Sequence, residues 1–168
     1  MKLLIVLALG LSIACLGSAV AAPARDVLKG FNGVDFGTTY DAAKALLGTE
    51  ARERVTTDQT PYRALIAKVQ YFGETLDVEY VFKNEGRFSA AAALVVQPMD
   101  DAALSKSRWP TIVTQLKNEY GEPDEEKITL DNLRSVTFNF ADGAIVKARL
   151  FGSSIIISFK SPSAAKSN

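Results

Sequence analysis

Much of the chain after residue 61 alternates apolar with polar residues, the two-residue period of a strand with one buried face. The alternation is clearest in residues 75–83, where Leu76, Val78, Tyr80 and Phe82 occupy every second position. Further strands are predicted over 62–72, 87–97, 133–140, 144–151 and 154–160, joined by short turns such as Asp142-Gly143. Parallel strands need crossovers of about a dozen residues or more, so this series predicts an antiparallel sheet.

A first helix is predicted to follow the glycine-rich stretch that begins at residue 30. Thr38 is its expected N-cap, and Gly48 is expected to end it with a positive φ. Gly30, Gly33 and Gly37 do not have the spacing of a phosphate-binding loop, so they are interpreted as turn residues at the start of this helix.

A second helix is predicted between residues 100 and 121. Asp100 or Asp101 can cap it, Gly121 ends it, and Pro110 indicates either a kink or a fresh start. Apolar residues spaced by three or four positions form one stripe along it, namely Leu104, Trp109, Ile112, Val113, Leu116 and Tyr120.

Together these elements predict an α+β fold, an antiparallel sheet of about six or seven strands with two main helices packed on one face. The polar stretch 49–61 is expected to form a short helix or a mobile loop. The last strand is expected to be central, since Ile155-Ile156-Ile157 is apolar on both faces.

The two halves of the chain resemble each other. Val78–Phe82 followed by Gly86 matches Val136–Phe140 followed by Gly143, and each follows a predicted helix that ends in glycine. We interpret this pattern as a degenerate duplication of a helix-plus-meander unit, with pseudo-repeats at about 31–98 and 99–161. The expected organisation is a single domain over 22–162, with a tail at 163–168 that is disordered by composition.

The N-terminal 21 residues have the pattern of a secretory signal peptide. Lys2 precedes a long apolar run that ends in the small-x-small site Ala19-Val20-Ala21, which predicts cleavage near Ala21 and a periplasmic or secreted protein. Residues 22–30 are then a short, loosely held lead-in. Two alternatives remain: lipidation of Cys15, whose surroundings partly resemble a lipobox, and an uncleaved anchor, because the run just reaches the length of a spanning helix.

Composition excludes several kinds of chemistry. The chain has no histidine, and its one cysteine, Cys15, lies in the signal peptide. The mature chain alone therefore lacks a disulfide, a thiol nucleophile, a histidine base and any His or Cys metal ligand, and we expect no cofactor. The loss of Lys2 leaves 18 basic against 19 acidic residues. This balance indicates no nucleic-acid partner, and membrane association is expected only if Cys15 is lipidated.

A resemblance to known families rests on the helix endings Leu46–Gly48 and Tyr120–Pro123, each followed by strands and hairpins. In this respect the chain resembles small cell-envelope proteins of the SmpA/BamE type and the tandem-repeat β-lactamase inhibitory proteins. The resemblance implies protein–protein binding in the cell envelope rather than catalysis.

Three features could supply chemistry. Asp77 and Glu79 lie on one strand face about 7 Å apart by strand rise, a spacing compatible with carboxylate-based glycoside hydrolysis. They also suit simple ion pairs with Lys68, Lys147 or Arg149. The acidic stretch Glu122–Glu126 is either a cation loop or a solvated turn. Aromatic residues of the strands form either a lipid pocket or the core; they are Tyr71, Tyr80, Phe82, Phe138, Phe140, Phe151 and Phe159.

The fourth feature is the polar face of the sheet, a broad surface of mixed charge that suits either solvation or a partner. We predict an exported, non-catalytic binding protein that meets a protein or cell-envelope component. The alternatives are a small-molecule or lipid carrier, with the ligand between helices and sheet, and a carboxylate-based hydrolase. The predicted binding residues are Lys68, Asp77, Glu79, Trp109, Asn139, Lys147 and Arg149. Trp109 belongs to the second helix, at its expected kink, and the polar face of the sheet also includes Gln70 and Thr137.

Overall fold

A computed structural model describes residues 25–56, 62–83, 86–96, 102–130 and 133–162. The predicted signal peptide, the tail at 163–168 and the predicted caps Asp100 and Asp101 lie outside these residues. The elements are β1 (Gly30–Phe31), β2 (Val34–Asp35), α1 (Tyr40–Leu47), β3 (Arg52–Thr56), β4 (Tyr62–Tyr71), β5 (Glu74–Lys83), β6 (Arg87–Val96), α2 (Ala102–Tyr120), β7 (Glu125–Leu130), β8 (Leu133–Asn139), β9 (Ile145–Phe151) and β10 (Ser154–Lys160). Among the described helices, neither is both long and apolar enough to span a bilayer.

The main sheet confirms the predicted α+β class. Eight antiparallel strands of the described chain pair in the order β3-β4-β5-β6-β10-β9-β8-β7, and β1 pairs with β2 in a separate hairpin. Each helix is followed by four strands, and the two sets of four meet where β6 pairs with β10. The strand containing Ile155–Ile157 is therefore central, as expected.

Two strands of the main sheet were not predicted, so this sheet exceeds the expected six or seven strands. Strand β3 lies in the polar stretch for which a short helix or mobile loop was expected, and β7 begins inside the acidic stretch 122–126. Both are edge strands, and their described side chains are mostly exposed on either face. With neither face buried, these strands lack the apolar alternation that reveals a strand in sequence.

One face of the sheet packs against both helices and forms the core. Tyr40 of α1 meets Phe82 of β5 with ring centroids 5.1 Å apart, and Tyr120 of α2 meets Phe138 of β8 at 5.7 Å. Burial of this apolar surface is the main stabilising contribution to the fold. The fully buried large side chains of this core include Leu65, Val78, Tyr80, Phe88, Leu116, Phe138, Leu150, Ile155, Ile157 and Phe159.

Helix α1 begins one residue later than predicted. Thr39, not Thr38, is the N-cap, and its Oγ1 accepts a hydrogen bond from the Ala42 amide at 3.4 Å. Thr38 instead pairs with β6, because its carbonyl accepts from the Phe88 amide at 2.8 Å, while the Gly37 amide donates to the Phe88 carbonyl at 2.8 Å. The glycine-rich stretch thus leads into a helix, as predicted. Its backbone also forms hydrogen bonds with the sheet.

The other helix boundaries follow the sequence more closely. Gly48 ends α1 with φ 83°, as predicted. Helix α2 continues through Pro110 as one element and ends where Gly121 adopts φ 80°. Of the two alternatives for Pro110, a fresh helix start is therefore not observed.

Arg25, in the lead-in that was expected to be loosely held, is anchored to the end of α2, contrary to expectation. Arg25 Nε donates to the carbonyl of Tyr120, the last residue of α2, at 2.6 Å, and the guanidinium also donates to the Glu122 carbonyl. The same side chain forms an ion pair with Asp124 at 2.5 Å and lies 5.1 Å from the ring centroid of Phe138. Only 10% of it is exposed. This anchor joins positions about a hundred residues apart, and local patterns in the sequence do not reveal it.

Candidate binding site on the open face of the sheet

The face of the sheet opposite the helices, here called the open face, contains six of the seven predicted binding residues. Residues paired directly across the strands share a face. One such row crosses all eight strands: Arg52, Ile66, Glu79, Ala92, Ser158, Lys147, Thr137 and Glu125. The predicted binding residues fall into two groups on this face, because β6 and β10 separate β4–β5 from β8–β9. Lys68, Asp77 and Glu79 form one group, and Asn139, Lys147 and Arg149 form the other.

The first group consists of charges that neutralise one another. Asp77 forms ion pairs with Arg52 at 3.5 Å and with Lys68 at 3.3 Å. Glu79 lies 3.6 Å from Arg54, and its carboxylate accepts a hydrogen bond from the Tyr62 hydroxyl. These are the cross-strand pairs expected of a solvated face, and Lys68 is a partner that the sequence had suggested.

The second group contains cations without such partners. Across the strands, Lys147 lies opposite Thr137 and Ser158, and Arg149 lies opposite Ser135 and Ile156. Within the described residues, neither cation has a carboxylate oxygen within 4.0 Å. The expected pairing of Asp77 and Glu79 with Lys147 or Arg149 is therefore not observed, since the two groups lie on different halves of the sheet.

Most of the charged side chains around Lys147 are basic. Partial burial is the main cause that lowers the pKa of its ammonium group, and the charge of Arg149 lowers this pKa further. Lys127 and Lys160 act in the same direction, and only Glu125 opposes them. Glu125 is itself paired with Lys127 at 2.6 Å. The surface around Lys147 and Arg149 thus has a positive potential that the neighbouring side chains leave largely uncompensated.

These cations line a groove of about 510 Å³ on the open face over β7–β10, which we call the basic groove. Lys147, Arg149 and Phe151 point to the same face of β9 at alternate positions. Phe151 is 67% exposed, and Ile156 of the neighbouring β10 is 38% exposed. No carboxylate lines the described groove. Its lining residues are Lys127, Thr129, Leu133, Arg134, Ser135, Lys147, Arg149, Phe151, Ser154 and Ile156.

Trp109 is placed away from this surface. It is only 4% exposed, and it packs in the core on the helix side of the sheet. Its position in the apolar stripe of α2 already indicated burial. Asn139 is exposed at the end of β8, where its backbone amide donates to the Asp124 carboxylate and its backbone carbonyl accepts from Arg25. This places Asn139 beside the Arg25 anchor, and it does not line the basic groove.

Of the two alternatives for the strand aromatics, the core is not observed for Phe151. Tyr80, Phe82, Phe138 and Phe159 are buried as predicted, whereas Phe151 is among the most exposed large side chains. A signal was present in the sequence, because Phe151 lies two and four residues from Arg149 and Lys147 and therefore shares their strand face.

The acidic stretch 122–126 is dispersed among separate ion pairs. Glu122 pairs with Lys117 at 2.9 Å, Asp124 pairs with Arg25, and Glu125 pairs with Lys127. Across the described ranges of the chain, no cluster of three or more His, Cys, Asp or Glu residues is placed to hold a metal ion.

A scan of protein-family models and searches of curated proteins and solved structures found no match to this chain.

Proposed function

We propose that this protein is an exported, non-catalytic binding protein of the cell envelope, and that it binds its partner at the basic groove. The observation that supports this proposal is the pair Lys147 and Arg149, which have no carboxylate partner in the described part of the chain and lie beside exposed Phe151 and Ile156. Exposed apolar side chains next to such charges suit a ligand that covers both. Export is supported by the signal-peptide pattern of residues 1–21.

We also propose the duplication, on the basis of topology. The strand order makes β3, β4, β5 and β6 the counterparts of β7, β8, β9 and β10. The sequence match between Val78–Phe82 and Val136–Phe140 links β5 with β8, which are not counterparts in this order, so it does not support the proposal. Under the duplication, the two halves keep one architecture but differ in surface chemistry. The first neutralises its charges internally, and the second leaves cations for a partner.

A carrier function is the second candidate, because the volume of the basic groove lies within the ~300–1,000 Å³ of small-molecule sites. For a carrier, the sequence analysis predicted that a small molecule or lipid would lie between the helices and the sheet. Trp109, Ile112 and Leu116 of α2 occupy that space and pack in the same core as the strands. A ligand there would have to displace this core, whereas the basic groove on the opposite face requires no such displacement.

Site-specific photocrosslinking tests the proposed function. A photoreactive residue at Ser135, in the basic groove, should form crosslinks in envelope extract. The same residue at Gln70, on the open face of the first half, is the matched control and should form few. Arg149→Glu should abolish the crosslinks from Ser135. Equal crosslinking from both positions, or none at any ionic strength, would contradict a partner at the basic groove.

A further inference from the structure

We infer that the ligand of the basic groove is a single-chain anionic amphiphile. Its carboxylate or phosphate headgroup lies at Lys147 and Arg149, and its hydrocarbon chain lies over Phe151, Ile156 and Leu133. This inference rests on the proposed function and specifies the chemical class of the ligand.

The headgroup end of the groove offers donors that have no acceptor side chain among the residues that the structure describes. Arg149 presents a planar guanidinium, which suits bidentate contact with a carboxylate or phosphate, and Lys147 adds a second charge on the same strand face. Ser135 lies directly opposite Arg149, and among the described residues its hydroxyl has no hydrogen-bond partner. An anionic headgroup would satisfy all three groups.

The other end of the groove is apolar. Phe151 follows Arg149 by two residues on β9 and lies across from Leu133 on β8 and Ser154 on β10. Ile156, the residue opposite Arg149 on β10, extends this apolar surface toward the cations. A hydrocarbon chain on these side chains would remove apolar surface from water, at about 25 cal/mol for each Å².

The order of these groups favours an amphiphile over an acidic protein segment. Charge is followed by apolar surface along one strand, and Lys147 and Phe151 are about 13 Å apart by strand rise. An amphiphile has the same order, with one anionic end and one apolar end. Several carboxylates along a protein segment would meet Lys147 and Arg149, the two lining cations on β9, at one end of the groove and apolar side chains at the other.

Titration calorimetry with monomeric dodecyl phosphate and laurate tests the inference, using the chain from residue 22 onward. We expect saturable binding of one molecule of each probe. Arg149→Gln and Lys147→Gln should each weaken binding by about tenfold or more, because each removes a charge-assisted hydrogen bond. Lys68→Gln is the matched control on the same face, since Lys68 already has Asp77 as its partner, and should leave affinity within about twofold.

Two further probes and one variant separate the contribution of the headgroup from that of the hydrocarbon chain. Inorganic phosphate, which lacks the chain, should bind at least about tenfold more weakly than dodecyl phosphate. Dodecyl maltoside, which lacks the charge, should also bind more weakly. Phe151→Ser should weaken the binding of dodecyl phosphate without changing the binding of inorganic phosphate. Phe151 is exposed, so this variant should fold, and its circular dichroism and melting temperature verify that it does.

The inference fails if neither anionic probe binds, if dodecyl maltoside binds as tightly, or if Arg149→Gln binds like the parent protein. An acidic protein crosslinked from Ser135 without amphiphile binding would overturn the inference and leave the proposed function standing. Absence of both crosslinks and amphiphile binding would overturn both.

Discussion

Replacement of Arg25 by methionine should destabilise the fold markedly, although the residue lies only four positions after the predicted cleavage site. Arg25 donates to the carbonyls of Tyr120 and Glu122 at the end of α2 and pairs with Asp124. The last carbonyls of a helix have no partner within the helix, so this side chain satisfies groups that α2 leaves open. Methionine keeps a similar apolar stem but donates no hydrogen bond and has no charge.

The size of the destabilisation by Arg25→Met follows from the number of contacts that Arg25 makes and from their exposure. A hydrogen bond to a charged group contributes about 1.5–3 kcal/mol, and removal of one partner from a buried ion pair costs about 3–5 kcal/mol. Asp124 remains 36% exposed, so water can replace part of what is lost. We therefore expect the free energy of unfolding to fall by about 2–3 kcal/mol. Arg25→Lys should recover part of this loss, because lysine keeps the charge but not the forked geometry.

Urea unfolding at neutral pH, followed by circular dichroism, measures this difference. Arg52→Met is the matched control, because Arg52 pairs with Asp77 at 3.5 Å but is 68% exposed, and it should change stability by less than about 0.5 kcal/mol. Equal stability of Arg25→Met and the parent protein would refute the anchoring role of Arg25.

Three further predictions concern backbone, pH and charge. Gly30→Ala should destabilise by about 1–3 kcal/mol in urea unfolding, since a Cβ there would lie 2.0 Å from the Val34 carbonyl oxygen, and a neutral result would contradict that approach. Burial raises the pKa of the Tyr80 hydroxyl to about 12 in the folded protein. The stabilising contribution of the neutral hydroxyl is therefore fully present below pH 10. Unfolding free energy should fall as pH rises from 10 through 12, less steeply in Tyr80→Phe; identical pH profiles would contradict this. Lys147→Met should raise stability by up to about 0.5 kcal/mol, because it removes a partly desolvated charge and relieves repulsion from Arg149. Lys44→Met, which removes an ion pair with Glu53, should not raise stability, and a loss of stability at Lys147 would contradict the predicted strain.

The alternation of apolar and polar residues was enough to predict the inner strands and their faces. In β5, Leu76, Val78, Tyr80 and Phe82 are all buried as expected, because a half-buried strand imposes this period directly. The edge strands β3 and β7 were missed for the same reason, since exposure on both faces leaves no such period.

The sequence also placed Lys147 and Arg149 on the open face, but it did not separate them from Asp77 and Glu79. A two-residue period determines which face a side chain occupies, and says nothing about which strands are neighbours. The pairing of β6 with β10, which divides the open face, joins Ala93 with Ile157 and is a long-range contact. The separation of the two groups depends on that pairing, so it could be recognised only in the folded protein.

The pKa of the Lys147 side chain, measured by NMR with and without dodecyl phosphate, tests the account of the basic groove most directly. We expect a pKa below the ordinary value of 10.5 in the free protein and a rise when the anionic headgroup binds. A pKa at or above the ordinary value in the free protein, unchanged by dodecyl phosphate, would contradict a groove with uncompensated positive charge that binds an anion.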